Sequence, residues 1–314
     1  MRIAVLGAGS IGILFGTLLH ESGNEVTLYN RNQNIVRAVR RNGARVQEGR
    51  RVIRATIPIG APPRNLRGQD VVLVTVKAYD TLDVARKYRG RVDPGTIVLS
   101  LQNGLGNYET LARYLGKTSV IVGSTTEAAL MAKPGLVVHT GHGQTWLGEY
   151  DGRESERCNQ IGQILSKAGL PARSTRDIRV IIWKKAIVNS AINPLSALTR
   201  LRNGELGQSE DLRTIMREAI EEGSRIGAAE GIVLDASRLI GFATRILHAT
   251  AQNRSSMLQD IESRRRTEIG QLNAILVEYG RKHHVETPVN SILLRLVRAL
   301  EESYFIGKEL LRDK

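Results

Sequence analysis

The sequence is poor in cysteine, in aromatic residues and in long hydrophobic runs. Cys158 is the single cysteine among 314 residues, which excludes an intrachain disulfide and a thiolate metal cluster. Aromatic residues make up 4% of the chain, few for the base-stacking surfaces of single-strand nucleic-acid binders. The amino terminus carries only four apolar residues before its first glycine, too few for a signal-peptide core or a membrane span. We therefore expect a cytoplasmic protein with no membrane partner.

What the chain does contain indicates a folded protein. Hydrophobic residues make up 41% and charged residues 24% of the sequence, a composition that disordered chains do not have. At roughly 100–200 residues per domain, the length predicts two domains.

The net charge of +14 is unevenly distributed. Residues 1–176 contain 24 Lys plus Arg against 13 Asp plus Glu, and nine arginines between Arg37 and Arg67 face one acid, Glu48. Such a stretch could bind phosphate groups. With so few aromatic residues, a solvated arginine-rich surface is the better interpretation, and we expect no nucleic-acid partner.

The first half of the chain alternates strand and helix patterns. A strand at residues 2–6 leads into a glycine-rich turn and a helix, and a second strand follows at Glu25–Tyr29. Further strand-like runs lie at Arg51–Ile57, Val71–Val76, Thr96–Leu99 and Ser119–Val122. This alternation predicts an α/β domain with a Rossmann-type, doubly wound parallel sheet. Between Leu136 and Gly148 strands follow one another without helices, which favours an antiparallel addition to that sheet.

The second half changes character after about Arg176. Long amphipathic segments predict helices at Asp177–Ala197, Asp211–Glu230, Ala236–Ala251, Met257–His283 and Val289–Lys308. We therefore expect a dinucleotide-binding domain over 1–176 and an all-α substrate-binding domain over 177–314. A cleft between two domains is the usual place for a site. The apolar faces of the last helices make a homodimer plausible.

The turn after the first strand carries the pattern G-x-G-x-x-G at Gly7, Gly9 and Gly12. Here it follows a predicted strand and opens a predicted helix, as the dinucleotide-binding fingerprint requires. The glycines permit a tight turn, close approach of a pyrophosphate to the backbone and close helix–strand packing. The helix N-terminus then favours the phosphate charge.

The end of the second strand discriminates between the two nicotinamide dinucleotides. An acid there binds the ribose 2′-hydroxyl of NAD, whereas an arginine accommodates the 2′-phosphate of NADP. No acid occurs from Val26 to Gln47, and Arg31 follows the strand directly. NADP is the predicted cofactor, although Arg31 could be one more exposed arginine and NADH use is not excluded.

A polar stripe crosses the most hydrophobic helix of the second half. Lys185, Asn189 and Asn193 are spaced four residues apart and so share one face of this otherwise apolar helix. A buried lysine is costly unless partners or a ligand solvate it. The alternative is a lysine that reaches solvent beside two exposed asparagines, but asparagine is a poor helix former. In hydride transfer to a ketone, a lysine can protonate the developing alkoxide and amides can hold the substrate.

Over almost its whole length the sequence resembles the ketopantoate reductase (2-dehydropantoate 2-reductase) family. The segments that carry the resemblance are Gly7-Ala-Gly-Ser-Ile-Gly12, Val74-Thr-Val-Lys-Ala78, Gln102-Asn-Gly-Leu-Gly106, Gly123-Ser-Thr-Thr126, Trp183-Lys-Lys-Ala-Ile-Val-Asn-Ser-Ala-Ile-Asn-Pro194, Asn203-Gly-Glu205, Ser255-Ser-Met-Leu-Gln-Asp-Ile261 and Thr267-Glu-Ile269. The resemblance implies NADPH-dependent reduction of ketopantoate to (R)-pantoate for pantothenate and coenzyme A synthesis.

The resemblance also implies roles for individual residues. Lys185 matches the proton donor, and Glu268 matches an acid near the nicotinamide ribose with a supporting part in catalysis. The implied cofactor contacts are Gly7, Ala8, Gly9, Ser10, Ile11, Gly12, Arg31, Lys77, Asn103, Ala129 and Glu268. The implied substrate contacts are Asn103, Lys185, Asn189, Asn193, Asn203, Asn253 and Ser256.

Several interpretations stay open. Lys77 could be a plain strand-end lysine, Asn103 part of an ordinary Asn-Gly turn, and Glu268 a surface ion-pair partner of Arg264–Arg266. The protein could reduce another branched 2-oxo acid, or it could be a dinucleotide sensor or nucleic-acid binder that has kept the fold. No metal site is expected, because the pairs His139/His142 and His283/His284 have no carboxylate or cysteine at metal-ligand spacing.

Overall fold

The computed structural model describes residues 1–309, and the contacts within it divide the chain into two compact units. The first unit is Met1–Ile181, and the second begins at Ile182. The division lies inside a long helix, α6 (Ile178–Thr199). No helix among the described residues combines the length and the apolar character needed to cross a membrane.

Unit 1 is built on two β-sheets. Its strands are β1 (Arg2–Leu6), β2 (Glu25–Tyr29), β3 (Ala44–Glu48), β4 (Arg51–Ala55), β5 (Ile59–Gly60), β6 (Val71–Val74), β7 (Ile97–Ser100), β8 (Val120–Thr125), β9 (Ala128–Lys133), β10 (Leu136–Gly141), β11 (Thr145–Gly148) and β12 (Ala172–Ser174). The larger sheet has the order β12-β11-β8-β7-β6-β1-β2-β5. From β8 to β5 every neighbouring pair is parallel, which confirms the predicted Rossmann-type α/β fold.

Helices cover both faces of the larger sheet. They are α1 (Ser10–Glu21), α2 (Gln33–Asn42), α3 (Thr81–Tyr88), α4 (Asn107–Leu115) and α5 (Glu156–Lys167). Along β1, Ile3 and Val5 join the hydrophobic cluster that includes α1, while Ala4 and Leu6 join the cluster that includes α3 and α4. Side chains of a strand alternate between faces, so β1 is buried on both sides.

The smaller sheet corrects the prediction for two segments. The run Arg51–Ile57 does not extend the parallel sheet: its strand β4 pairs antiparallel with β3, which the sequence did not reveal. Of the segment expected as an antiparallel addition, β11 does pair antiparallel with β8, but β10 joins β3 and β9 in a separate four-stranded sheet. Strand β4 pairs with β3 because a tight hairpin at Gly49 (φ 57°) turns the chain back on that strand.

This smaller sheet also accounts for much of the arginine run. In β3 the buried residues are Ala44 and Val46, and in β4 the buried residue is Ala55, whereas Arg51 and Arg54 are exposed. Alternation along the strands therefore places apolar side chains inward and arginines in solvent. Eight of the nine arginines between positions 37 and 67 are exposed, Arg45 being half-buried.

Helices are the only regular secondary structure among the described residues of unit 2, as predicted. After α6 follow α7 (Asn203–Leu206), α8 (Glu210–Ala229), α9 (Ala236–Ala249), α10 (Ser256–Glu262), α11 (Ile275–Lys282) and α12 (Pro288–Glu309).

The prediction of one continuous helix over Met257–His283 is wrong. The chain leaves helical geometry after Glu262, and Arg264 adopts a left-handed conformation (φ 49°). It returns through a π-helical turn at Gly270–Ala274 that leads into α11. Such turns occur frequently at functional sites, and this break buries Thr267 and Glu268.

Candidate functional site

The turn between β1 and α1 is shaped by two glycines that no other residue could replace. Gly7 has φ 101°, and a Cβ there would lie 2.4 Å from the backbone nitrogen of Val76. A Cβ on Gly12 would lie 2.2 Å from the carbonyl oxygen of Gly7. The amides of Gly7 and Ala8 both donate to the carbonyl oxygen of Tyr29, which anchors the turn to the end of β2.

The middle glycine of the motif borders open space instead. A Cβ on Gly9 would meet nothing nearer than the Gly7 carbonyl oxygen at 3.8 Å. Gly9 caps α1 without a side-chain hydrogen bond, and no acid lies in the first turn of that helix. Ser10 and Ile11, in this turn, are half-buried. Uncapped amides and the positive end of a helix suit a phosphate.

Arg31 lies directly after β2 and is exposed. Its Nη1 donates to Oδ1 of Asp80 at 3.1 Å, and its Nη2 lies 4.0 Å from Oδ2 of Asp83. The preceding Asn30 donates from Nδ2 to the carbonyl oxygen of Ala8 at 2.8 Å. Arg31 is thus held beside the glycine-rich turn by an exposed ion pair, which is a weak interaction in water.

Lys77 and Asn103 follow β6 and β7, two neighbouring strands. Gln102, for which the sequence suggested no role, donates from Nε2 to the Val76 carbonyl oxygen at 3.0 Å and to Thr81 Oγ1 at 2.8 Å. These two bonds bring both loops together at the carboxyl edge of the sheet, where open α/β folds bind ligands. Ala129 lies elsewhere, in β9 of the smaller sheet opposite His139.

Unit 2 contains the polar stripe on α6. Lys185 and Asn189 are half-buried and Asn193 is buried, while Ala186, Ile187, Val188 and Ile192 are buried around them. The adjacent lysine, Lys184, has a different contact: its ammonium lies over the Phe242 ring, 3.6 Å from the ring centre.

The ammonium of Lys185 has an unusual environment. Burial lowers the pKa of Lys185 to about 8, while the charge of Glu268 acts in the opposite direction and favours the protonated amine. Glu268 is buried, whereas Arg264, Arg265 and Arg266 are exposed. A lysine whose pKa lies near neutral pH can both hold and release a proton under working conditions.

A second group of polar residues surrounds α7. The backbone amide of Asn203 donates to the Asn253 carbonyl oxygen at 3.0 Å, and its Nδ2 donates to Thr250 Oγ1 at 2.8 Å. Ser256 begins α10 with an exposed side chain, because the cap of that helix is Ser255, whose Oγ accepts from the amide of Leu258. The structure therefore joins Asn203 to Asn253 and leaves Ser256 open to solvent.

Both halves of the chain match one protein family. Residues 3–152 match the family described as ketopantoate reductase PanE/ApbA, and residues 177–301 match the family of its C-terminal domain. The chain belongs to the ketopantoate reductase family. Among its relatives are 2-dehydropantoate 2-reductases from Archaeoglobus fulgidus (38% identity over 96% of this chain and 98% of the relative) and Halobacterium salinarum (36% identity over 95% and 98%).

Solved structures agree with this membership. A ternary structure of D-mandelate dehydrogenase with NADH and anilino(oxo)acetate has a TM-score of 0.91 at 28% identity, covering 96% of this chain and 99% of that one. A ketopantoate reductase from Ralstonia eutropha has a TM-score of 0.88 at 32% identity with the same coverage. A nicotinamide dinucleotide is thus the cofactor class of this ketopantoate reductase family member.

In this ketopantoate reductase family member, a buried network that the sequence analysis missed supports the stripe on α6. Pro194 lacks the amide that would bind the Ser190 carbonyl oxygen four residues earlier. Nδ2 of Asn273, in the π-helical turn, donates to that oxygen at 2.9 Å and also to Oδ1 of Asn290 at 2.9 Å. Asn290, at the start of α12, in turn donates from Nδ2 to Oε2 of Glu222 in α8. Pro194, a proline inside a predicted helix, was the feature of the sequence that could have indicated an unpaired carbonyl oxygen there.

Carboxylates that have no metal-ligand spacing along the sequence contact one histidine of each pair in space. His139 is buried and contacts both Glu48 and Glu127. His283 contacts Glu230 through Nε2 at 2.5 Å. The carboxylates come from distant parts of the chain, so spacing along the sequence could not reveal them.

Proposed function

We propose that this protein is a 2-dehydropantoate 2-reductase, which reduces ketopantoate to (R)-pantoate with NADPH on the route to pantothenate and coenzyme A. The observation that carries the proposal is that Lys185, on the amide-bearing face of α6, interacts electrostatically with Glu268. It occurs in a chain whose relatives at 36–38% identity are named 2-dehydropantoate 2-reductases.

The nicotinamide supplies a hydride to C2 of the 2-oxo acid when the cofactor is bound. Lys185 donates a proton from Nζ to the carbonyl oxygen as it becomes an alkoxide, so that ketone, hydride and proton give the hydroxy acid and leave a neutral amine. The ammonium also stabilises the negative charge that develops on that oxygen. Glu268 keeps the lysine protonated until the transfer, because a buried ammonium without a nearby anion tends to lose its proton.

The amides of unit 2 hold the substrate in this proposal. Asn189 and Asn193 lie one and two turns beyond Lys185 on α6, and their side chains can donate to a carboxylate and to a hydroxyl group. Asn203, Asn253 and the exposed Ser256 hydroxyl complete the set of substrate contacts. Hydrogen bonds to polar substrate groups discriminate strongly against molecules that lack them.

The cofactor contacts proposed in unit 1 start from the glycine-rich turn. The amides of Ser10 and Ile11 bind the pyrophosphate, which lies against the backbone of Ala8 and Gly9, and the glycines at 7 and 12 shape the turn. Lys77, Asn103 and Ala129 contact the rest of the dinucleotide, and Glu268 of unit 2 contacts the nicotinamide ribose. Arg31 binds the 2′-phosphate, which makes NADPH the preferred cofactor over NADH.

A reductase of a different 2-oxo acid is the second candidate. It is favoured by the similarity to D-mandelate dehydrogenase, solved with NADH and anilino(oxo)acetate. The two candidate activities differ in the substrate groups that the site must bind, since pantoate carries a second hydroxyl group that mandelate lacks.

Initial rates with a panel of 2-oxo acids test both candidates. We expect the highest kcat/KM with ketopantoate and NADPH, a lower value with NADH, and poor turnover of benzoylformate. A clear preference for another acid would replace ketopantoate as the substrate, and equal rates with both cofactors would remove the role of Arg31. A gel-shift assay at physiological salt tests the nucleic-acid alternative, for which we expect no shift.

We further propose a homodimer through unit 2. On α12, Ile292 and Leu296 are 56% and 48% exposed, one helical turn apart. Adjacent exposed apolar side chains of this kind favour association. Sedimentation of the protein and of Leu296→Glu tests the proposal: we expect a dimer that this variant weakens, and a wild-type monomer would contradict it.

A further inference from the structure

A cluster of two histidines and two carboxylates lies at one end of the smaller sheet of unit 1. Strands β3 and β10 are parallel, with Val138 opposite Gln47. The next residues, Glu48 and His139, are therefore neighbours where these strands end. The register of β10 with β9 shifts between His139 and Gly141, and such irregularities re-aim the side chains that follow.

Both ring nitrogens of His139 contact carboxylates. Nδ1 lies 2.9 Å from Oε1 of Glu48, and Nε2 lies 2.5 Å from Oε2 of Glu127. Ionised carboxylates only accept hydrogen bonds, and a neutral imidazole has one N–H to donate. A neutral imidazole can thus donate to only one of these carboxylates, and its other nitrogen presents a lone pair.

Glu127 is placed to orient this histidine. The side chains of Glu127 and His139 are both fully buried. Within the described part of the chain, the second oxygen of Glu127, Oε1, is buried and has no hydrogen-bond partner. A carboxylate that accepts the Nε2 proton fixes the tautomer and directs the Nδ1 lone pair outward. Metal-ligating histidines are commonly held this way by a carboxylate.

A third donor lies beside Nδ1. The ring of His142 is 4.1 Å from that of His139, and one donor atom each of Glu48, His139 and His142 lie within 4.8 Å of one another. In tetrahedral zinc sites the metal–ligand distances are about 2.0–2.2 Å, which puts donor atoms about 3.3 Å apart. Rotation of the Glu48 and His142 side chains would bring the three donors to this spacing. His142 is exposed and Glu48 is half-buried, so an ion can enter from solvent.

We propose that Glu48, His139 and His142 bind a divalent transition-metal ion such as Zn²⁺, with Glu127 as the positioning residue for His139. Two imidazoles and one carboxylate are a donor set that suits this class of ion, and water completes the coordination. The ion links the end of β3 to the turn after β10. The metal proposal does not rest on the proposed reductase activity.

The test measures metal binding directly on the full-length protein. After treatment with a chelator, the protein is dialysed against Zn²⁺ and its metal content is determined, and Co²⁺ is added as a spectroscopic probe of coordination. We expect one ion per chain and a visible Co²⁺ spectrum of four-coordinate type. His142→Ala keeps the buried residues intact and should weaken Zn²⁺ binding about tenfold or more, as should Glu48→Gln.

His248→Ala is the matched control, since His248 is an exposed histidine on α9. We expect it to bind Zn²⁺ as the wild type does. The proposal is overturned if the wild type binds less than a stoichiometric amount, if His142→Ala binds as tightly as the wild type, or if the control loses binding equally.

Discussion

The network around Pro194 leads to a prediction about how the polar stripe on α6 is held in place. Asn273 is fully buried, and its NH₂ group donates one hydrogen bond to the Ser190 carbonyl oxygen and another to Oδ1 of Asn290. Because Pro194 cannot donate to Ser190, Asn273 replaces a missing helix hydrogen bond. Asn273→Ala removes this donor and leaves two buried acceptors without a partner.

The magnitude follows from those two acceptors. Each buried group that loses its partner costs roughly 1–3 kcal/mol. The change also removes Oδ1 of Asn273, which is itself buried without a hydrogen-bond partner among the described residues, and this offsets part of the loss. We expect the free energy of unfolding to fall by about 2–4 kcal/mol in total. Asn273→Asp should be worse, since a carboxylate would face two acceptors.

The assay is a double-mutant cycle in urea, followed by the circular dichroism of the helices. Pro194→Ala restores a backbone amide that can donate to Ser190. In that background Asn273→Ala should cost less, with a coupling energy of about 1 kcal/mol, the net value of one hydrogen bond. Additive effects of the two substitutions, within about 0.3 kcal/mol, would refute the replacement of the proline's missing donor by Asn273.

Three further predictions concern the two binding halves. Gly9→Ala should fold normally, because its Cβ enters open space at the turn, yet it should bind NADPH about tenfold or more weakly. Gly12→Ala should unfold, because its Cβ would lie 2.2 Å from the Gly7 carbonyl oxygen. The melting temperature and a binding titration with NADPH separate the two effects. Arg31→Ala should raise KM for NADPH but not for NADH, and Arg37→Ala, at an exposed arginine, is the control. An equal rise in KM for both cofactors would argue against a 2′-phosphate contact. Because the proton donor must be protonated, kcat/KM for reduction should be level below pH 8 and fall above it, following the lowered pKa of Lys185; a profile flat to pH 10 would contradict this.

Where the sequence predicted the fold correctly, periodicity and turn chemistry agreed. The strand, glycine turn and helix of residues 2–21 follow from local patterns, because backbone sterics at Gly7 and Gly12 admit no alternative. The long helix with Lys185, Asn189 and Asn193 was recognisable because these polar residues form a stripe on a largely apolar segment.

The errors arose where distant parts of the chain decide the outcome. The apolar spacing of Met257–His283 suits a helix, but the chain leaves helical geometry after Glu262, with Arg264 in a left-handed conformation, and buries Thr267 and Glu268. The residues of β3 resemble an arginine-rich surface segment in the sequence. Only their pairing with β4 and β10 shows that they form a strand. Likewise, the carboxylates around His139 come from positions 48 and 127, and the partner of the Ser190 carbonyl comes from position 273.

The role of Lys185 is the central claim, and its neighbour offers the matched control. The decisive measurement is kcat for ketopantoate reduction with NADPH in Lys185→Ala and in Lys184→Ala, together with the Kd for NADPH. We predict that Lys185→Ala lowers kcat by about 10²–10⁴ with nearly unchanged cofactor binding, as expected for loss of a positioned acid, and that Lys184→Ala stays close to the wild type. Normal turnover in Lys185→Ala would contradict the account.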